Sequence, residues 1–170
     1  MNRSANVLVG CFPPVENQDA TILILGSMPG RKSLEENEYY ALRQNAFWKI
    51  MGELVSAYPS LTYEKRLAVL KHSGIALWDV LASCERSESS LDSNIKNETA
   101  NDFEIFFIQH PHITRVFFNG AKAEQSFNKF VLEKQKLPQL VFLRLPSTSP
   151  AHAGMHYADK LQAWRAAVVL

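Results

Sequence analysis

Cysteine is scarce in this chain: Cys11 and Cys84 are the only two among 170 residues, and neither stands in a CxxC or CxxH pattern. That excludes a cysteine-ligated zinc site, a disulfide framework and a four-cysteine iron–sulfur cluster. An excess of one charge is lacking too. The formal net charge is +1, so any binding to nucleic acid has to come from a local basic face and not from global attraction. No run approaches the roughly twenty apolar residues of a membrane helix, and the apolar patch at residues 7–9 is too brief for a signal-peptide core. The chain therefore reads as cytoplasmic, with no membrane partner. No Gly-Lys-Ser/Thr follows the glycine turn at residues 26–30, which rules out a Walker loop. Ser27 is not midway between its glycines, so it is not a nucleophile elbow. Internal repeats and low-complexity tracts are absent, and neither motif described below contains the paired carboxylates of ordinary glycosidases.

What is present is enough apolar material, 46% of the chain, for one buried core. The length suits a single domain spanning residues 1–170, with 1–20 as a mostly irregular leader stiffened by Pro13-Pro14. Residues 22–25 form an unbroken apolar run, as in a strand covered on both faces, and the strand is read over 21–25. Phe47, Ile50, Met51, Leu54 and Val55 recur at helical spacing and predict a helix over 47–57. A second helix is expected over 62–72, with Leu67 and Leu70 inward and Lys65, Arg66 and Lys71 outward, stopped by Gly74. Further strands are read at 75–81, 114–118 and 140–145, and further helices at 102–110, 121–132 and 155–169. The polar stretch 83–101 has no sustained period and reads as a long loop. Strands alternating with helices predict a three-layer α/β/α domain with a central, mostly parallel four-stranded sheet. Ligand sites in such sheets lie beyond the carboxyl ends of the strands, and the turn at 26–30 and the loop at 146–154 both leave such ends.

The first of these turns is dense in chemistry. Gly26 and Gly30 permit close approach to the main chain, and Ser27, Met28 and Pro29 lie between them. Tyr39, Tyr40, Asn45, Phe47 and Trp48 follow. A strand, a glycine loop, flat aromatic side chains and an amide within one span are what a pocket for a planar polar ligand needs. Asn45 also fits a plainer role as the cap of the helix that starts near Phe47. Ser147, Thr148 and Ser149 between two prolines suit phosphate contacts or, equally, a Ser/Thr-rich turn. Asp79 could position a loop or a water, or cap a helix.

The motifs Gly26-Ser27-Met28-Pro29-Gly30, Tyr39-Tyr40-Ala41 and Asn45-Ala46-Phe47-Trp48 resemble the uracil-DNA glycosylase superfamily, in particular its mismatch-specific and hypoxanthine-DNA glycosylase branches. Leu145-Pro146-Ser147-Thr148-Ser149-Pro150-Ala151-His152 carries the likeness at the other end. Trp78-Asp79-Val80 and Phe118-Asn119-Gly120-Ala121 carry it between.

The resemblance implies a DNA glycosylase that extrudes a deaminated base, most of all hypoxanthine, and hydrolyses its bond to the sugar without metal or cofactor. Asn45 would be the main catalytic residue, because Met28 occupies the place where many members keep an Asp or Asn to orient water. Whether its amide accepts from water or donates to the base is left open by the sequence. Backbone amides from Gly26 and Ser27 onward would serve the departing anion or hold the water. Tyr40 would stack on the base, with Met28, Pro29, Gly30, Tyr39, Phe47 and Asn119 around it. Ser147, Thr148, Ser149, Pro150 and His152 would engage DNA. The chain departs from the branch in having Leu42-Arg43-Gln44 where His-Pro is usual, and Arg43 could compensate by touching a phosphate. No lysine stands out as an imine former, so no lyase step is assigned, and the protein is expected to act as a monomer. The alternatives are a uracil or thymine mismatch glycosylase on the same fold and a nucleic-acid-binding module that has lost hydrolysis.

Overall fold

The structure, a computed structural model, describes residues 6–87 and 95–169. In chain order its elements are β1 (Val7–Gly10), β2 (Ile22–Gly26), α1 (Arg31–Glu36), α2 (Phe47–Val55), α3 (Tyr63–His72), β3 (Ile75–Asp79) and β4 (Leu81–Arg86). There follow β5 (Ile95–Ala100), α4 (Phe103–Gln109), β6 (Arg115–Asn119), α5 (Ala121–Phe127), β7 (Val141–Leu145) and α6 (Tyr157–Val168).

The expected central sheet is present and wholly parallel, in the order β3-β2-β6-β7. Side chains alternate across it as strand geometry requires. Leu23, Leu25, Ala76, Val116 and Phe118 face one core with Phe103, Phe106 and Phe107 of α4 and Phe127 of α5. Ile22, Ile24, Ile75, Leu77 and Phe117 face the other with Phe47, Ile50 and Met51 of α2, Leu70 of α3 and Trp164 of α6. Strands packed on both sides have no polar face to show, which is why residues 22–25 read as one apolar run.

Local chemistry fixes the helix ends. The Thr62 side chain accepts from the Lys65 amide and starts α3, and the Asp102 side chain accepts from the Ile105 amide and starts α4. Gly74, with φ of +76°, turns the chain from α3 into β3.

Four expectations are corrected. The segment before β2 is not a mostly irregular leader over its described part: β1 pairs antiparallel with β4, and Val15 bridges Leu77. Glu16 Oε2 also lies 2.7 Å from His110 Nε2. Residues 83–101 are not one long loop, because β4 and β5 pair antiparallel and complete a second sheet, β1-β4-β5; residues 88–94 lie outside the described residues. The strand expected at 75–81 divides at Val80, and Leu81 opens β4 in the other sheet. Arg66 does not point out to solvent; its guanidinium lies 4.7 Å from the centre of the Trp48 ring, where a cation is attracted to the π face. α1 is an addition. Among the described residues, no helix is long and apolar enough to cross a membrane.

Because the four central strands run parallel, their carboxyl ends open at one edge of the sheet. The turn after β2, Asp79 at the end of β3, Asn119-Gly120 after β6 and the loop after β7 converge there.

Candidate active site

A cleft of about 1030 Å³ lies at this edge. Both predicted motifs line it, so two turns about 120 residues apart in sequence do meet. Gly26, Ser27, Met28, Pro29, Gly30, Tyr39, Tyr40 and Asn45 contribute from the first, Ser147, Thr148, Ser149 and His152 from the second, and Asp79 and Asn119 from between.

The glycine turn is held by its carbonyls. Val80 N–H donates to the Gly26 oxygen at 2.8 Å and Leu81 N–H to the Ser27 oxygen at 3.2 Å, while Arg86 Nη1 donates to the Pro29 oxygen at 2.8 Å. A Cβ on Gly26 would stand 2.7 Å from Asp79 Oδ1 and 3.4 Å from the Tyr40 hydroxyl. Only glycine lets the carboxylate and the phenol close over the main chain at this point.

Tyr40 has a left-handed backbone, φ +54°. Its ring stacks on Phe47 with centroids 4.0 Å apart and planes 23° apart. Phe47 itself is fully buried and meets Trp48 and Trp164 edge-on. It therefore lies behind Tyr40 as a support and does not line the cleft as its proposed ligand-contacting role required. Tyr39 does line the cleft, but it is anchored: its hydroxyl donates to the Pro13 carbonyl at 2.9 Å and its carbonyl accepts from Trp48 Nε1 at 2.9 Å. Burial, and behind it the Asp79 charge, pushes both phenols above the ordinary tyrosine range; a hydrogen bond from Asn119 partly offsets this at Tyr40. Both remain neutral at physiological pH.

Asn45 stands one residue ahead of the position expected of a cap, since the N-cap of α2 is Ala46. Its Oδ1 accepts from the Phe47 amide at 2.9 Å, an Asx turn that leads the chain into α2. A main-chain N–H can face only an acceptor, so this bond fixes which way the carboxamide is turned. The two Nδ2 hydrogens are left on a half-buried group lining the cleft. Holding the start of α2 and a role toward ligand are thus not alternatives, since the amide oxygen does one and the amide nitrogen is available for the other.

The second loop is ordered from beneath. Asn119 Nδ2 donates to Thr148 Oγ1 at 3.0 Å, and the Thr148 amide donates back to Asn119 Oδ1 at 2.9 Å. The Thr148 carbonyl accepts from the Ala46 amide at 3.0 Å. Thr148 is therefore buried, with its hydroxyl engaged by Asn119. Ser147 Oγ and Ser149 Oγ accept from the Ser149 and Ala151 amides; as hydroxyls they keep a hydrogen to donate outward. Trp164 Nε1 and Lys160 Nζ hold the Pro146 and His152 carbonyls at 2.9 and 2.8 Å. Arg43 and Pro150 are exposed and stand outside the cleft, whereas His152 is exposed at its rim.

Two further residues bear on the site, one already weighed from the sequence for a positioning role and one not. Asp79, with 4% of its surface exposed, is a carboxylate in the floor of the cleft. Its place at the carboxyl end of a strand was the available signal. Arg86, also 4% exposed, came from a stretch with no readable period and gave no signal. Among the described residues, no group of three or more His, Cys, Asp or Glu side chains is gathered where it could hold a metal ion.

The profile of the Uracil DNA glycosylase superfamily matches residues 13–169, nearly the whole chain. The chain belongs to that superfamily. Within it, two proteins described as hypoxanthine DNA glycosylase, from Methanosarcina barkeri and Methanosarcina acetivorans, are each 40% identical to this chain over 113 residues. The match covers 66% of this chain and 71% of theirs. A solution NMR structure of a Methanosarcina acetivorans protein, provisionally assigned as a uracil DNA glycosylase, superimposes with a TM-score of 0.78 at 31% identity. That match covers 95% of this chain and 97% of the other. As a superfamily member with glycosylase relatives at this identity, the chain is a DNA N-glycosylase. The cleft where its two motifs meet is the candidate site for that reaction.

Proposed function

We propose that this glycosylase excises hypoxanthine from deoxyinosine in DNA and leaves an abasic site. The observation that carries the reading is Asn45, whose amide oxygen is held by the Phe47 N–H while its amide nitrogen is left for a base in the same cleft as Tyr40. The names of the two Methanosarcina relatives support the choice of base.

In this reaction the bond between C1′ and N9 breaks and its electrons leave with the purine. A water oxygen joins C1′, and the water's proton goes to the purine or to solvent. Asn45 Nδ2 donates to the purine as negative charge grows on it, and the amides of the glycine turn add further donors. The Tyr40 ring, backed by Phe47, receives the extruded ring, a contact worth about 1 to 3 kcal/mol. Asp79 supplies an acceptor at the cleft floor. Hypoxanthine carries a hydrogen on N1, where adenine presents a lone pair, so a carboxylate favours the deaminated base and repels the normal one. Hydrolysis stops at the abasic site, with no lyase step.

Duplex oligonucleotides carrying single deoxyinosine, deoxyuridine or deoxyadenosine test this, with alkaline scission as the readout. Scission of the deoxyinosine strand at a rate well above the others supports the proposal. Scission confined to deoxyuridine replaces it with a uracil enzyme, and retention without scission replaces it with a binding module.

A further inference from the structure

Arg86 is the last residue of β4 and belongs to the outer three-stranded sheet, yet its guanidinium ends on the Pro29 carbonyl at 2.8 Å. It approaches from the far side. Pro29 and Gly30 line the main cleft, whereas Arg86 lines an adjoining smaller one of about 390 Å³ with Val9 and Leu34, the two sharing Arg31 and Glu35. The peptide between Pro29 and Gly30 is therefore part of the wall between the two clefts, with its carbonyl on the Arg86 side. A trans peptide sets N–H and C=O in opposite directions, and no cis bond occurs among the described residues. The Gly30 N–H accordingly points away from Arg86, on the side of the peptide plane opposite the carbonyl.

A cation bonded to a peptide carbonyl draws electron density toward the oxygen and makes the N–H of the same unit a stronger donor, and burial sharpens the effect. We propose that Arg86 is a positioning residue for base release. Through the Pro29 carbonyl it fixes and polarises the Pro29-Gly30 peptide, so that the Gly30 amide meets the negative charge that develops on the departing base. Arg86 touches no substrate; its effect is transmitted through one peptide plane. The proposal rests on the glycosylase reaction and not on which base is removed.

The test compares Arg86→Lys and Arg86→Gln in single-turnover base release from duplexes containing deoxyinosine and 8-azadeoxyinosine, whose base is the more acidic leaving group. Lysine keeps a positive charge near the carbonyl and glutamine does not. Arg86→Gln is expected to lose 10- to 100-fold in rate on deoxyinosine but less than fivefold on the better leaving group, with DNA affinity within threefold of wild type. Arg86→Lys is expected to fall between Arg86→Gln and wild type. A loss of equal size on both substrates means that Arg86 only holds the loop in shape and overturns the proposal, as does a wild-type rate in Arg86→Gln. If Arg86→Gln does not fold, Arg86→Lys decides by the same comparison between leaving groups. Wild-type protein inactive on deoxyinosine would sink the proposed substrate, and the Arg86 comparison would then use deoxyuridine and 5-fluorodeoxyuridine.

Discussion

Asn119 and Thr148 hold each other by two hydrogen bonds, Nδ2 to Oγ1 at 3.0 Å and amide to Oδ1 at 2.9 Å. The carbonyl of the same threonine takes the Ala46 amide, next to Asn45. One buried residue thus ties the end of β6, the loop after β7 and the segment bearing Asn45. Thr148→Val keeps the shape of the side chain but leaves the Asn119 donor without this partner. The variant is expected to lose about 1 to 3 kcal/mol in urea unfolding and at least tenfold in the rate of base release. A variant that loses stability but keeps the wild-type rate would show that the tie serves folding alone.

Asn45→Asp separates the two ends of the carboxamide. Aspartate still accepts from the Phe47 amide at the start of α2 and suits a helix N-terminus, so stability should be unchanged or slightly higher. Both cleft-facing donor hydrogens are gone. Base release is expected to fall by about 10²- to 10³-fold, the cost of losing one donor to a developing anion. A rate within threefold of wild type would assign the function of Asn45 to its oxygen.

Gly26→Ala places a methyl 2.7 Å from Asp79 Oδ1. The carboxylate or the turn has to move. Overpacking of this kind costs about 1 to 3 kcal/mol, and thermal unfolding should register it. If the contact matters for the reaction, the double variant Gly26→Ala/Asp79→Ala will be less impaired than the product of the single losses, because removing the carboxylate makes room for the methyl.

Alkaline pH should expose the two buried phenols. Tyr39 and Tyr40 have pKa values raised above their unfolded ones by burial and by Asp79. Their contribution to stability is therefore fully present below the unfolded tyrosine value of about 10 and is lost as pH rises above it, because the unfolded chain ionises first. Urea unfolding between pH 8 and 11 is expected to show stability falling from about pH 10. Tyr39→Phe should fall less steeply over that range, although it lacks the bond to Pro13. An equal slope in both proteins would refute the assignment.

Residues 22–25 and the periodicity of Phe47, Ile50 and Met51 made the central sheet and α2 legible, because strands and helices buried in one core leave a pattern in apolar residues alone. β5 left little such trace. Of IKNETA only Ile95 is buried, so a strand paired at the rim of a small sheet looks like a polar loop. β1 is short, with Val7 and Leu8 exposed, and its pairing with β4 is set by register and not by composition. At the site, the two turns were readable from their glycine, proline and hydroxyl residues. That Phe47 lies behind Tyr40 was not, because an aromatic beside a tyrosine can face the ligand or support the ring, and only packing decides between them. Arg86 shows the same limit: a buried cation reaching a carbonyl 57 residues away leaves no local sign.

The ties through Thr148 also bear on motion. The Asn45 segment, the end of β6 and the loop after β7 are bonded to a single interior threonine, and Trp164 and Lys160 grip that loop from α6, so this side of the cleft is held as one piece. On the proposed reading, a wall held this way leaves the bending and unstacking that deliver a damaged nucleotide to the nucleic acid, and favours the lesions easiest to pull from their partners.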